Sequence, residues 1–123
     1  MSRRKLLRFE ENKFRENIVE PGKPFFDAAK GRWNEAFFRN PNPITLELAC
    51  GRGEYTTGLA AVYLERNFVG VDIKGDRLWR GSTAALEAGL TNAAFLRTPI
   101  DFLERHFAEG EVGEIWIVHP DPR

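Results

Sequence analysis

The sequence has 123 residues, of which 42% are hydrophobic and 29% are charged, so it has the size of one globular domain with a modest core. No apolar run approaches the roughly 18 residues of a transmembrane helix, and the first twenty residues are charged throughout, which argues against a signal peptide and predicts a cytoplasmic protein. The single cysteine, Cys50, excludes an internal disulfide bond and a cysteine-based zinc site, and no metal site is expected.

Basic residues are concentrated at the start of the chain, although the formal net charge is zero. Residues 1–40 carry ten Lys and Arg against six Asp and Glu, whereas residues 41–123 carry eight against twelve. We therefore expect residues 1–24 to form a flexible basic arm, which either contacts nucleic-acid phosphates or is a solvated tail. Six of its basic residues lie within the first fifteen positions: Arg3, Arg4, Lys5, Arg8, Lys13 and Arg15.

Two proline-rich segments, Pro21–Pro24 and Asn40–Pro43, bracket a predicted helix over Phe25–Phe38. After them, strand and helix patterns alternate, which implies right-handed crossovers between parallel strands. Residues 25–123 are therefore predicted to form an α/β domain, a parallel sheet with helices on both faces. The strands are expected at Ile44–Ala49, Asn67–Ile73, Ala93–Arg97 and Glu114–His119, and the helices at Glu54–Leu64, Asp76–Ala88 and Asp101–Phe107.

The turn after the first of these strands, Cys50–Gly53, is the predicted ligand site, because ligands of parallel sheets bind beyond the carboxyl ends of the strands. Its two glycines, Gly51 and Gly53, allow the backbone to approach a ligand closely. The turn lacks the Gly-Lys-Ser/Thr ending of a mononucleotide P-loop, and Thr56 stands where a dinucleotide site has its third glycine.

Glu47, inside the strand before this turn, narrows the choice of ligand. Its carboxylate would repel a pyrophosphate, whereas S-adenosylmethionine has no phosphate and carries a cationic amine and a cationic sulfonium. The residue therefore favours S-adenosylmethionine as the cofactor. In the alternative interpretation, Glu47 faces solvent or accepts hydrogen bonds from the backbone of a loop.

Two aspartates follow later strands of the predicted sheet. Asp72 ends the second strand, about twenty residues after the turn, where an acidic side chain accepts both hydroxyls of a ribose. Dinucleotide and methyl-donor sites share this feature, so it predicts a ribose without identifying the nucleoside. The last strand is followed by His119–Pro122, in which two prolines flank Asp121 and restrict its backbone beside the cleft, or serve a structural role only.

Three segments of the sequence resemble one family of enzymes. They are KGRWNEAFFRNPNPITLELACGRGEY from Lys30, VGVDIKGDRL from Val69 and FAEGEVGEIWIVHPDP from Phe107, in the family's order and spacing. From Lys30 to its last residue the chain is similar to the bacterial tRNA (guanine-N7)-methyltransferases, and the basic segment RRKLLRFEEN also fits. The resemblance implies a Rossmann-like class I methyltransferase that uses S-adenosylmethionine to methylate N7 of guanine in tRNA.

The same resemblance assigns roles to individual residues. Glu47 and the turn that contains Gly51 and Gly53 bind the methionine part of the donor, and Asp72 binds its ribose. Asp121 is the family's active-site aspartate. The implied partner is tRNA, and no membrane is involved.

The sequence departs from the family's usual pattern at three places. Ala49 replaces the first glycine of the family's E-x-G-x-G-x-G. After the third strand, Thr98 with Pro99-Ile100 replaces the Asp-Ala whose aspartate helps to hold adenine, so Thr98 is the candidate cofactor residue there and adenine must be held by backbone or by neighbouring side chains. Family members also continue well beyond the position of Arg123, so the resemblance implies a truncated chain that holds only the N-terminal half of the domain.

Truncation leaves two other functions open. In one, the chain is a donor-binding module without catalysis. In the other, it is a small-molecule methyltransferase or a dinucleotide enzyme that shares the half-sheet.

Truncation also predicts that the last strand, which is apolar on both faces over Ile115–Val118, lacks a neighbouring strand on one side. Self-association through that strand, with little transferase activity, is expected for a chain of this length.

Overall fold

A five-stranded parallel sheet forms the centre of the computed structural model, which describes residues 2–117. The order across the sheet is β1-β4-β3-β2-β5, and all four pairings are parallel. The central strands are buried on both faces, as expected of parallel strands covered by helices. The strands are β1 (Ile18–Val19), β2 (Ile44–Leu48), β3 (Asn67–Asp72), β4 (Ala93–Arg97) and β5 (Glu114–Ile117).

Two layers of helices cover the sheet. On one face lie α3 (Glu54–Val62) and α4 (Gly75–Glu87), and α1 (Arg3–Asn12) packs against α4. On the other face lie α2 (Pro24–Ala28), a π-helix (Trp33–Phe38) and a 3₁₀ helix (Ile100–Arg105). Among residues 2–117, no helix is both long enough and apolar enough to cross a membrane.

Alternation of side chains along the strands separates two hydrophobic cores. In β2, Leu46 and Leu48 belong to the core that contains Trp33, which is 0% exposed. The Trp33 ring stacks on Phe107 with the ring centroids 5.1 Å apart, and its Nε1 donates a hydrogen bond to the carbonyl oxygen of His106 at 2.7 Å. The indole thereby joins the π-helix to the end of the 3₁₀ helix.

The strand and helix predictions for residues 44–97 are confirmed with small shifts at their ends. Strand β4 has the predicted bounds, β2 and β3 each end one residue earlier, α3 ends two residues earlier, and α4 begins and ends one residue earlier. The predicted helix over Asp101–Phe107 is a 3₁₀ helix over Ile100–Arg105. Strand β5 begins at Glu114 as predicted, and the part of the predicted strand beyond Ile117 lies outside the described residues.

The single helix predicted over Phe25–Phe38 is wrong. The segment is divided into α2 and the π-helix, because Gly31 adopts a left-handed conformation with φ of 78° that a continuing α-helix does not accept. Glu111 stabilises the break, since its carboxylate accepts hydrogen bonds from the backbone N–H groups of Gly31 at 2.7 Å and Trp33 at 3.0 Å. The helical spacing of the aromatic residues could not predict the break, because Glu111 is distant in the sequence.

The first 24 residues also differ from the expected flexible arm, because they contribute a helix and an edge strand to the fold. Ile18 and Val19 are buried and pair with Phe95 and Leu96 of β4. The Lys23 ammonium fixes the connection between α1 and β1, donating hydrogen bonds to three backbone carbonyl oxygens at 2.6–2.7 Å. Burial of two apolar side chains against β4 outweighs the polar composition of the segment.

Candidate functional site

A cavity of about 410 Å³ opens at the carboxyl ends of three neighbouring strands. Residues at the ends of β2, β3 and β4 and in the loops that follow them converge there, because parallel strands end at the same edge of a sheet. The lining comes from Ala49 after β2, Val71–Lys74 at the end of β3 and just after it, Thr98–Asp101 after β4, and Arg77 of α4. The fold thus brings the predicted residues Asp72 and Thr98 to one cavity, next to the glycine turn.

Asp72 connects the two turns that border the cavity. Its Oδ2 accepts a hydrogen bond from the backbone N–H of Gly51 at 2.8 Å, and its Oδ1 accepts one from the N–H of Lys74 at 3.0 Å. The residue is 8% exposed. A carboxylate has about four lone-pair positions, so both oxygens keep the capacity to accept a hydroxyl from a ligand.

The two glycines of the turn have different roles. Both have positive φ, 60° at Gly51 and 71° at Gly53. A Cβ on Gly51 would meet nothing within 4 Å, so the backbone there is open to a ligand. A Cβ on Gly53 would lie 2.6 Å from the Phe95 ring and 3.3 Å from Cα of Gly81, so this glycine is required by helix and sheet packing. The structure thus gives a packing reason for Gly53, and the close approach of a ligand to both glycines stays a prediction.

Ala49, which replaces a family glycine, adopts a left-handed conformation with φ of 54°. This conformation costs an L-residue roughly 1–2 kcal/mol relative to the right-handed regions. The side chain lines the cavity beside Asp72. The substitution is therefore accommodated in space but leaves backbone strain at the edge of the site.

Glu47 does not line this cavity. It faces α3, where its Oε1 accepts hydrogen bonds from the backbone N–H of Thr56 at 3.1 Å and from Thr56 Oγ1 at 2.6 Å. It lines a small recess with Tyr55 and Trp116. Burial raises the pKa of the Glu47 carboxyl, and the two hydrogen bonds from Thr56 oppose that effect. The contact is with the first turn of α3, whereas the alternative interpretation had solvent or the backbone of a loop, and the role of Glu47 in donor binding stays a prediction.

Thr98 and Asp101 occupy the side of the cavity formed after β4. The backbone N–H of Thr98 donates a hydrogen bond to the Asp72 carbonyl oxygen at 3.1 Å, and Thr98 is 4% exposed. Asp101 was not identified from the sequence. The only signal for it was an acidic residue in the first turn of a predicted helix that follows a strand.

Cys50 and Asp121 complete the sequence-based candidates. Cys50 is 7% exposed, and burial strongly raises the pKa of its thiol, which therefore stays protonated and acts as a packing residue. Asp121 lies outside the described residues. Within residues 2–117, no three His, Cys, Asp or Glu side chains form a group that could hold a metal ion.

Solved structures and family models place the fold among methyltransferases. A family model described as "Putative methyltransferase" matches residues 41–123, which include every segment that lines the cavity. The 30S ribosomal A1408 methyltransferase from an uncultured bacterium (UncKam) superposes with a TM-score of 0.57, covering 68% of this chain and 40% of that one. Its sequence identity is 19%, so this likeness concerns the fold alone.

Relatives named tRNA (guanine-N(7)-)-methyltransferase are similar over much or all of the chain. The protein of Cytophaga hutchinsonii is 53% identical over 123 residues, which are 100% of this chain and 55% of the relative. The protein of Bacteroides fragilis is 57% identical over 94 residues, 76% of this chain and 37% of the relative. The chain thus spans about half the length of these curated relatives, or less. By the match over residues 41–123, the chain belongs to the family described as "Putative methyltransferase", with the Rossmann-like α/β fold of class I enzymes.

Proposed function

We propose that the protein, expressed from its whole reading frame, transfers a methyl group from S-adenosylmethionine to N7 of guanine in tRNA. The observation that carries this proposal is the cavity in which Asp72, tied to the Gly51 turn, meets Thr98. This cavity lies in the segment that is similar to relatives named for this reaction. The proposal implies a cytoplasmic location, where tRNA is modified.

The residues of the cavity fit the nucleoside half of S-adenosylmethionine. Asp72 has free acceptor positions for the two ribose hydroxyls. Ile73 and Ile100, both exposed and both lining the cavity, offer apolar surfaces to the two faces of a purine. The open space at Gly51 admits the methionine part along the turn. Asp101 offers an acceptor for an exocyclic amine at the adenine end, where the family's aspartate is absent.

Glu47 would act on the donor through the turn. Its contacts with Thr56 hold the N-terminus of α3 against β2, which fixes the backbone that carries Gly51. The second carboxylate oxygen of Glu47 has no hydrogen-bond partner among the described residues. The charge of this carboxylate lies in β2, before the Cys50–Gly53 turn. We assign it as a positioning residue whose negative charge also favours a cationic amine.

The reaction needs few side chains. When bound, S-adenosylmethionine supplies a methyl group on a positively charged sulfur. N7 of guanine has a lone pair in the plane of the ring, so no proton leaves before the attack and no general base is required. The residues of the chain then contribute mainly by alignment. Asp121 would stabilise the positive charge that develops on the purine, or hold its amine edge.

Methylation of tRNA transcripts tests the proposed function. The protein from the whole reading frame should transfer labelled methyl to an unmodified tRNA transcript and not to the same transcript made with 7-deazaguanosine, which has no N7. Equal labelling of both transcripts would contradict N7 as the target. Labelling of a small metabolite or a protein, with no labelling of tRNA, would overturn the assignment.

A donor-binding module without catalysis is the second candidate, because the residues that line the cavity are those proposed to hold the donor. Calorimetry of the 123-residue chain with S-adenosylmethionine and with NAD distinguishes the cofactors. Binding of S-adenosylmethionine without transfer to tRNA, for the 123-residue chain and for the product of the whole reading frame, would favour the module. Binding of NAD in its place would support the dinucleotide hypothesis.

A further inference from the structure

Helix α1 packs against α4, and exposed basic residues on the two helices form a basic surface that reaches the cavity through Lys74 and Arg77. We define this basic surface by six residues, and within residues 2–117 none of them makes an ion pair. All are exposed. They are Arg3, Arg4 and Lys5 in the first turn of α1, Lys74 immediately before α4, and Arg77 and Arg80 on α4.

Trp79 of α4 fixes α1 in place. Two guanidinium groups lie over its ring, that of Arg8 at 4.5 Å and that of Arg15 at 5.0 Å from the ring centroid. Its Nε1 donates a hydrogen bond to Glu11 at 3.0 Å, and Arg15 donates to Ser82 Oγ at 3.2 Å. Cation–π contacts of this kind contribute about 0.5–1 kcal/mol each at exposed sites. The first helix is thereby held on α4, so its charges have a defined position.

A second contact connects α1 to the edge of the cavity. Asn12 donates a hydrogen bond from Nδ2 to the Gly75 carbonyl oxygen at 2.9 Å, and the Phe9 ring packs so closely on Gly75 that a Cβ there would lie 3.1 Å from it. Gly75 directly follows Lys74, which lines the cavity with Arg77. The basic surface therefore continues to the rim of the candidate donor site.

The acidic residues of α1 do not neutralise this surface. Glu10 pairs with Lys13 at 3.0 Å, and Glu11 accepts a hydrogen bond from the Trp79 indole. Asp76, in the first turn of α4, is the one carboxylate within residues 74–80, where Lys74, Arg77 and Arg80 outnumber it three to one. The charge at the rim is therefore positive, although the cavity itself carries Asp72 and Asp101. Guanidinium and ammonium groups fixed at several points suit a polyanion whose charges are regularly spaced.

We propose that this basic surface binds the sugar–phosphate backbone of the tRNA and positions it over the donor cavity. The proposal rests on tRNA being the substrate. Contacts of this kind set orientation without reading sequence, so the target guanine would be selected by its access to the cavity and not by α1.

Equilibrium binding of the 123-residue chain to an unmodified tRNA transcript tests the surface, by fluorescence anisotropy at several KCl concentrations and without donor. The triple variant Arg4→Ala, Lys5→Ala, Arg80→Ala removes three charges and leaves the Trp79 contacts and the cavity lining intact. We expect affinity at low salt to fall roughly tenfold and the slope of log K against log salt to decrease by about two to three. Circular dichroism checks that the variant is folded.

The matched control removes three exposed basic residues from the other face of the sheet: Lys30→Ala, Arg32→Ala, Arg105→Ala. This control should bind tRNA as the wild type does. An equal loss of affinity in both triple variants, or no loss in the first, would overturn the proposed surface. Binding of tRNA is measured here without the methyl donor. A failure of methyl transfer would therefore refute the proposed function, whereas the binding data alone decide whether the basic surface contacts tRNA.

Discussion

Asp72 serves the fold and the proposed ligand with the same two oxygens. Both accept a backbone N–H in the structure, from Gly51 and from Lys74, so the Asp72→Ala variant loses a structural tie as well as any ribose contact. We expect Asp72→Ala to weaken S-adenosylmethionine binding by about 1.5–3 kcal/mol, the usual range for hydrogen bonds to a charged group. Calorimetry measures the loss.

Two further variants separate the ligand contact from the structural tie. Asp72→Asn keeps one acceptor oxygen for the turn and removes the charge, so it should lose donor affinity with a smaller loss of stability than Asp72→Ala. Glu87→Gln, at the far end of α4, is the control for charge alone and should leave both unchanged. Unchanged donor affinity in Asp72→Ala would move Asp72 to a purely structural role.

Ala49 offers a stability gain, because its left-handed backbone suits glycine better than alanine. We expect Ala49→Gly to raise the free energy of unfolding by about 0.5–1 kcal/mol, since the relief of strain exceeds the entropy that glycine adds to the unfolded chain. Urea denaturation gives the value. The control Ala84→Gly, in the exposed interior of α4, should lose roughly the same amount. A loss at both positions would show that Ala49 is unstrained.

Glu47 makes stability depend on pH in an unusual direction for a carboxylate. Burial raises its folded pKa above the ordinary value of 4.5. The folded state therefore binds more protons between the two pKa values, and this contribution is fully present below the unfolded pKa and lost as pH rises through the folded one.

Glu47→Gln should keep the acceptor for Thr56 and remove this titration. We expect the variant to gain stability relative to the wild type as pH rises from about 4 to 7, measured as urea midpoints. Glu65→Gln, on an exposed loop, is the control and should follow the wild type. Parallel pH profiles for Glu47→Gln and the wild type would show that Glu47 titrates with an ordinary pKa.

Among the secondary-structure elements, α1 and β1 are connected by Lys23. Its ammonium group donates hydrogen bonds to the carbonyl oxygens of Asn12, Arg15 and Ile18. Removing it leaves three partly buried acceptors without a partner. We expect Lys23→Met to cost about 2–3 kcal/mol of unfolding free energy. Lys13→Met, which removes an exposed ion pair with Glu10, should cost at most about 1 kcal/mol. Equal effects in urea denaturation would contradict a special role for Lys23.

The elements that the sequence predicted well are those whose pattern is local. Strands β2, β3 and β4 are short apolar runs between helices, and their bounds follow from composition and spacing alone. The elements it missed depend on distant partners. The break at Gly31 is stabilised by Glu111, eighty residues away, and the two-residue strand β1 exists because Phe95 and Leu96 pair with it.

The site was predictable to the same extent. Asp72 and Gly51 follow local rules for a strand-to-helix turn; Asp72 lines the cavity, and Gly51 donates a hydrogen bond to its carboxylate from the adjacent turn. Glu47 was assigned to the donor by its charge, but the alternation of β2 turns it toward α3 and Thr56, a contact that depends on the register of a strand against a helix. Asp101, in the first turn of the 3₁₀ helix that replaces the predicted α-helix, lines the cavity but carried no signal in the sequence that singled it out.

At the scale of the whole molecule, the two edges of the sheet differ. Strand β1 has only two residues, whereas β5 has four, and within residues 2–117 β5 pairs with β2 alone. Its side chains are not buried as a central strand would be: Ile115 is 56% exposed, Trp116 48% and Ile117 59%. An exposed, apolar edge of this kind is a template for pairing with another chain.

We expect the 123-residue chain to self-associate through β5, as size-exclusion chromatography with light scattering over a range of concentrations will show. Ile115→Lys places a charge on that edge and should shift the chain toward the monomer, because an edge lysine is costly to bury between paired strands. Val62→Lys replaces a side chain that is 69% exposed on α3 and takes no part in strand pairing, so it should leave association unchanged. A monomeric wild type, or equal effects of the two lysine substitutions, would show that β5 is not the site of self-association.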